Sequence, residues 1–166
     1  MKIQALDKNK HNRKQFDCDV APLNKYLQQT AKQHDDVDLS RCFVLTQDDA
    51  CILGFYSLSV CHIKWDELPE KHQKKYPKNG ITGVLIARLA VDKQHQRKGY
   101  GAFLLMDAIH KIITSGVDVP HPVIIVDAKD EQAKAFYLQF GFEEIAPSCN
   151  RLYMPTQHAR NMIEQV

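Results

Sequence analysis

What this chain most plainly lacks is a long hydrophobic run. No apolar stretch in its 166 residues approaches the roughly 20 that a membrane-spanning helix requires. Its first residues are charged from Lys2 through Lys14 and hold no apolar core of a secretion signal, so no signal peptide is expected. The five cysteines (Cys18, Cys42, Cys51, Cys61, Cys149) are scattered and odd in number, with neither a CxxC pair nor metal-ligand spacing. That argues against a disulfide framework and a metal site, and for reduced, small apolar residues in a cytoplasmic protein. Internal repeats and low-complexity tracts are missing. Charge of one sign is scarce too, since 22 Lys and Arg against 20 Asp and Glu leave +2. Such a balance permits a nucleic-acid partner without arguing for one. Two nucleotide signatures also fail. There is no GxxxxGK[ST], and a GxGxxG reading stops at Leu104, where a third glycine would stand.

What is present is an ordinary globular composition, 44% apolar and 25% charged, in a length that suits one domain over residues 1–166. Patterning predicts a short strand near Lys2–Leu6 and a helix over residues 20–33 with Leu23, Tyr26, Leu27 and Ala31 on one face. The polar stretch His34–Ser40 is expected to end that helix. A hairpin of Arg41–Thr46 and Cys51–His62 follows, around a tight polar turn. Residues 63–80 are lysine-rich and read as a solvated surface around a short helix, or as a substrate-side loop. Val84–Val91 reads as a strand buried on both faces. A helix opens at Gly99-Tyr100-Gly101, with Leu105, Ala108, Ile109 and Ile112 as its core face. Then come a loop at Thr114–His121, a second buried strand at Pro122–Val126, a helix over Asp130–Phe140 stopped by Gly141, and strands at Glu143–Ile145 and Arg151–Met154. Thr156–Glu164 forms a last short helix. Two buried strands joined through a helix are expected to run parallel.

The strand, polar loop and helix across residues 84–112 form the arrangement best suited to chemistry. The first N–H groups of a helix have no backbone partner, and the aligned peptide dipoles favour negative charge there. Glycines at 99 and 101 let a phosphate approach those amides, and Lys93, His95, Arg97 and Lys98 add positive charge. On these residues alone, a glycine-eased turn with a solvated basic loop explains the string equally well. In the same way, Tyr137 alone reads as a core tyrosine on a helix face with Ala133, Phe136 and Phe140.

Together the two segments carry a resemblance. Gln96-Arg97-Lys98-Gly99-Tyr100-Gly101 directly after a strand ending Leu89-Ala90-Val91 resembles the acyl-CoA pyrophosphate loop of the GNAT (GCN5-related) N-acetyltransferases. Ala133, then Phe136-Tyr137, then Gly141-Phe142 resembles that family's second hallmark. The resemblance implies an α/β GNAT fold, with a mixed, mostly antiparallel sheet flanked by helices and a parallel central strand pair. It implies acetyl-CoA as cosubstrate, held by backbone of Leu89, Ala90 and Val91, by the loop Gln96, Arg97, Lys98, Gly99, Tyr100 and Gly101, and by Ala128 and Phe136. Tyr137 takes the role of general acid toward the departing thiolate, and no metal is implied.

The resemblance extends into the N-terminal half. Phe16-Asp17-Cys18-Asp19 leading to Leu23-Asn24-Lys25-Tyr26-Leu27, then Ser40-Arg41-Cys42-Phe43-Val44, and Arg88-Leu89-Ala90-Val91-Asp92 are similar to bacterial GNAT toxins of type II toxin–antitoxin pairs. Asp19 stands where those have Gly, and Cys42 where they have Thr. Such toxins acetylate the α-amine of aminoacyl-tRNA, are neutralised by a ribbon-helix-helix antitoxin and are often homodimers. Arg41, Lys93 and Lys129 are then candidates for tRNA phosphate contact, or plain surface charge. The central strand carries Arg88 where some relatives have a Glu base, and His62 is a candidate base or a structural histidine. At pH 7 an α-amine (pKa about 7.7–8.0) is roughly 10–15% neutral, but a lysine (about 10.4) is less than ~0.1% neutral. A chain without a strand carboxylate therefore favours the α-amine. Acetylation of a small amine or a protein N-terminus, and a non-catalytic CoA-binding regulatory module, are the alternatives.

Overall fold

Alternation of apolar and polar residues gives way to helical spacing where the sequence predicts it. The computed structural model describes residues 1–116 and 119–164. Its strands are β1 (Lys2–Ala5), β2 (Arg41–Thr46), β3 (Ile52–Ile63), β4 (Ile81–Val91), β5 (Val123–Asp127), β6 (Glu143–Glu144) and β7 (Arg151–Pro155). They form a seven-stranded sheet in the order β1-β2-β3-β4-β5-β7-β6. The helices are α1 (Ala21–Lys25), continued by a π-helical turn at Tyr26–Thr30 into α2 (Ala31–Asp36), then α3 (Glu70–Gln73), α4 (Tyr100–Ser115), α5 (Glu131–Gln139) and α6 (Thr156–Glu164). β4 and β5 run parallel, in register from Val84 opposite Ile124 to Ile86 opposite Val126. The other registered pairs are antiparallel.

Contacts divide the chain into two compact units. The first comprises residues 1–59 and 87–108. β1, β2 and the start of β3 form its meander, and Phe16, Tyr26, Leu27, Ala31, Val44, Phe55 and Ala90 form its core. Phe16 meets Phe55 edge-on at 5.4 Å, and Tyr26 stacks on Phe55 at 6.1 Å. The hairpin turn is set by Asp48, whose Oδ1 accepts from the Ala50 and Cys51 N–H groups (3.2 and 2.8 Å). The second unit comprises residues 60–86 and 109–166. Ile63, Leu68, Ile81, Val123, Ile125, Ile145 and Tyr153 are its buried cluster.

The structure departs from the sequence pattern in three places. The first helical segment runs on to Asp36, because Lys32 pairs with Asp35 and Asp36 (2.8 and 2.7 Å) and so carries the turn through polar residues. α4 reaches Ser115, into the expected loop. Thr114 and Ser115 turn their hydroxyls back onto the carbonyls of His110 and Ile112 (2.8 and 3.0 Å), which lets polar residues extend the helix. Residues 117–118 of that loop lie outside the described residues. β4 is not buried on both faces throughout. Ile81, Gly83, Ile86 and Ala90 are buried, but Val84, Leu85 and Ala87–Leu89 are only partly covered. The isolated apolar run could not reveal this, since a strand's cover is set by distant segments.

Gly54 on β3 shows how closely the first unit is packed. A Cβ there would stand 2.7 Å from Leu104 Cδ1 and 2.9 Å from the Ala90 carbonyl oxygen, and the carbonyl belongs to backbone that yields little. Gly54→Ala is therefore expected to lower unfolding free energy by about 1–3 kcal/mol, the usual scale of overpacking. Urea unfolding measures it, and an unchanged midpoint would show that β3 and β4 tolerate the added methyl.

Candidate active site

In the first unit, β4 ends at Val91 and Asp92 begins a short turn, Lys93–His95, before the helix start at Tyr100. Arg97 and Gly99 both take left-handed backbone (φ 59° and 84°). Alternating conformations of this kind turn successive N–H groups toward one side and make an anion-binding concavity. Among the described residues, the N–H groups from Arg97 to Gly101 find no protein acceptor. The first bond at the helix start runs from the Phe103 N–H to the Gly99 carbonyl (3.1 Å). A Cβ built on Gly99 meets nothing within 4 Å, so glycine serves the positive φ there and leaves the approach open. Gln96, Arg97, Lys98 and Gly99 are exposed. A row of unpaired amides at the start of a 16-residue helix, flanked by two cations, fits a diphosphate.

The sequence did not reveal what holds this loop open. Asp92 is 8% exposed, and its carboxylate accepts from the N–H groups of Gln94 (3.0 Å) and Asp17 (3.1 Å). Asp17 answers with its carbonyl, which accepts from Lys93 N–H (2.8 Å), and with its carboxylate, which takes Lys93 Nζ (2.7 Å) and Asn24 Nδ2 (2.7 Å). The Lys93 hydrogen bond, followed by those from the Asp19 N–H and Asn24, draws the Asp17 carboxyl down to about 2. Gln96 Nε2 donates to the carbonyls of Val91 (3.1 Å) and Cys18 (3.4 Å). Residues 16–24 are thus a buttress for the loop. Asp19 sits at φ 61°, a position glycine takes freely and aspartate tolerates, which explains its standing where the toxin pattern has Gly.

The second unit holds Tyr137. Asp130 caps α5, its Oδ1 accepting from Ala133 N–H (2.8 Å), and the chain leaves the helix at Gly141 with φ 85°. The Phe140 and Phe142 N–H groups both return to the Tyr137 carbonyl (3.0 and 3.3 Å). Tyr137 is 7% exposed, its ring lying 5.3 Å from Phe136 and 5.8 Å from Phe142. Its hydroxyl makes no hydrogen bond among the described residues and is not one of their buried unpartnered polar atoms. Burial, with a smaller push from the Asp127 charge, raises the phenol to about 12. Ala128 is buried, and its N–H is already taken by the Asn150 carbonyl (2.8 Å).

The remaining candidate residues are placed less simply. Leu89 and Val91 are partly covered and Ala90 is buried. Arg88 lies over the Tyr26 ring, 3.8 Å from its centre, so the cation on the central strand is held by an aromatic face. Arg41 is bound to Asp35 (2.6 Å) and Asp38 (2.5 Å), Lys93 to Asp17, and Lys129 to Asp130 (2.8 Å). His62, the penultimate residue of β3, is exposed, whereas Ile63 after it is fully buried. Among the described residues no His, Cys, Asp and Glu group is arranged to hold a metal ion, and no helix is long and apolar enough to cross a membrane.

Comparison with known proteins agrees with this geometry. The acetyltransferase (GNAT) domain model matches residues 38–144. A tRNA-acetylating toxin of Mycobacterium tuberculosis is 33% identical over 133 residues, 80% of this chain and 78% of that protein. A probable toxin TacT of Sinorhizobium fredii is 26% identical across 97% of this chain and 94% of its own length. Among solved structures, a Tyr-to-Phe mutant of KacT superposes with TM-score 0.90 at 28% identity, covering 97% of this chain and 98% of that one. AtaT complexed with acetyl-methionyl-tRNAfMet gives 0.88 at 27% identity, covering 98% of each chain. AtaTR bound with AcCoA gives 0.84 at 28% identity, covering 98% of this chain and 97% of that one.

The open amides give the site its test. Gly101→Asp places a carboxylate among them and is expected to weaken acetyl-CoA binding at least tenfold, about 1.4 kcal/mol. Calorimetry on the folded variant reads this, and unchanged affinity would remove the loop from cofactor binding. With the family model spanning most of the chain and the loop, strand and helix where that family has them, the chain belongs to the acetyltransferase (GNAT) family.

Proposed function

We propose that this chain transfers the acetyl group of acetyl-CoA to the α-amine of an aminoacyl-tRNA, and that it acts as the toxin of a toxin–antitoxin pair. The row of unpaired N–H groups from Arg97 to Gly101 carries the cosubstrate half of this reading. The substrate half is supported by the tRNA-acetylating relative and by the likeness to AtaT with acetyl-methionyl-tRNAfMet. Residues 1–166 then work as one catalytic domain. A cell that makes such an enzyme needs a neutralising partner. We assign that role to a ribbon-helix-helix antitoxin, with the enzyme itself a cytoplasmic homodimer.

In the proposed reaction, the loop amides and Lys98 hold the pyrophosphate, and backbone of Leu89, Ala90 and Val91 aligns the thioester arm; Ala128 and Phe136 are also assigned to the cosubstrate. The amine lone pair attacks the thioester carbonyl, a C–N bond forms, and the C–S bond breaks. Tyr137 gives its proton to the departing sulfur. A phenol at about 12 is fully protonated at neutral pH, yet delivery to a thiolate of conjugate pKa about 8.5 is uphill by on the order of 5 kcal/mol. The nitrogen sheds a proton in the same step, so Tyr137 passes one proton on and regains another. The net movement is from amine to thiolate, which is close to balanced. No strand carboxylate is needed, because an α-amine next to an ester carbonyl is already partly neutral. Arg41, Lys93 and Lys129 contact tRNA phosphates by exchanging their carboxylate partners, which costs little for solvent-exposed pairs.

Tyr137→Phe keeps the ring and removes only the hydroxyl. Turnover on charged tRNA is expected to fall by roughly 10²-fold or more, with acetyl-CoA affinity nearly unchanged. Growth arrest on expression without the antitoxin should also be relieved. Wild-type turnover in this variant would return Tyr137 to a packing role.

A further inference from the structure

Arg41, Lys93 and Lys129 are each committed to a carboxylate, whereas a dense set of uncommitted cations gathers between β1 and the first helix. Residues 8–14 read Lys-Asn-Lys-His-Asn-Arg-Lys, with four cations and no acid. The chain holds 22 Lys and Arg against 20 Asp and Glu, so with these four set aside the remainder carries −2. The positive excess of the whole chain lies in this loop. Lys8, Lys10 and Lys14 are exposed and Arg13 is partly so. None of the four has an ion-pair partner among the described residues. The nearest acids are occupied. Asp49 is bound by Lys2 and Gln4, Asp48 by the Ala50 and Cys51 amides, and Asp7 by the Asn9 N–H (2.8 Å). The other lysine-rich segment differs, since Asp66, Glu67 and Glu70 lie just before its lysines at 71–78, Lys71 is paired with Glu143 and Lys78 lies over the Trp65 ring.

The loop is also held in shape. His11 is 4% exposed, and its Nδ1 accepts the Asp7 N–H (2.9 Å) while its own N–H donates to the Asp7 carbonyl (3.0 Å). Asn12 N–H reaches the Ala50 carbonyl (2.9 Å) and Arg13 N–H the His11 carbonyl (3.0 Å). The buried imidazole therefore anchors a short, curved backbone from which the cations project. Fixed charges lose less entropy on meeting a fixed array of phosphates than a flexible tail would.

We infer that Lys8, Lys10, Arg13 and Lys14 form a preorganised binding surface for the phosphate backbone of the RNA substrate, apart from the residues that handle the acetyl group. The inference rests on the tRNA reading above and adds to it. The cations are close-set, and each can release condensed counterions from a polyphosphate. A protein partner would be expected to offer apolar contact as well, and residues 8–14 expose none.

The test is a full-length variant with Lys8→Gln, Lys10→Gln, Arg13→Gln and Lys14→Gln, beside a second carrying only Lys8→Gln and Lys10→Gln. Both should melt like wild type and bind acetyl-CoA as it does. KM for charged tRNA should rise by at least about tenfold in the fourfold variant, with kcat at saturating tRNA little changed. The slope of log affinity against log salt should become shallower by about 0.7–0.9 for each phosphate left unneutralised, with the double variant between. Wild-type KM and slope in both folded variants would overturn the loop's role and leave the substrate reading standing. If wild-type protein itself shows no salt-dependent tRNA binding, the substrate reading falls and this inference falls with it.

Discussion

The site depends on a stretch of backbone being kept from bonding to itself. Left alone, the amides between β4 and α4 would be expected to tighten into another helical turn. The positive φ at Arg97 and Gly99 prevents this, and the Asp92 carboxylate ties the turn before it to Asp17, 75 residues away in sequence. Replacing a carboxylate that accepts two backbone N–H groups would leave donors short of a partner, at about 1–3 kcal/mol each where water cannot reach. Exposure leaves the open amides to solvent, and in the proposed reaction phosphate oxygens of the cosubstrate take the place of that water. The N-terminal segment thereby braces the loop that the proposed reaction assigns to the cosubstrate, although it carries no group that touches the chemistry.

Electrostatics divides the surface in a way composition conceals. Arg41, Lys93 and Lys129 stand opposite carboxylates, whereas the loop amides, Arg97, Lys98 and the segment 8–14 keep their positive potential. A net charge of +2 therefore hides strongly cationic ground beside neutralised pairs. Long-range attraction of a polyanion belongs to the former and is screened beyond a Debye length of about 8 Å at physiological salt. The paired residues act only at contact, by trading one anion for another.

Much of this was legible in the residues themselves. The hairpin, the parallel strand pair and the final helix at Thr156–Glu164 follow from local periodicity and turn chemistry, and Asp130 and Gly141 mark the ends of α5 at the cap positions. The helix ends at Asp36 and Ser115 were less legible, because they depend on ion pairs and hydroxyl back-bonds that propensity does not see. The toxin-like Phe16-Asp17-Cys18 string was visible, but its role was not. Its contacts with Asp92, Lys93 and Gln96 span 75 to 78 residues, and no window of sequence joins them. In the same way, no pattern could reveal that Lys93 faces a carboxylate, since it meets Asp17 only in the fold, whereas Lys129 and Arg41 pair with Asp130 and Asp38 close by in sequence.

The absence of a carboxylate on β4, with Arg88 held on the Tyr26 ring, and the lone phenol of Tyr137 point to an amine that arrives partly neutral and a leaving group that needs a proton. The α-amine of an aminoacyl ester meets that description best. The most direct measurement is transfer of radioactive acetyl from acetyl-CoA to a total tRNA pool. Label is expected in aminoacylated tRNA, released with the amino acid when mild alkali cleaves the ester, and none in the same pool after deacylation. Label found instead in free polyamines or protein N-termini, with charged tRNA unmodified, would contradict the assignment of substrate.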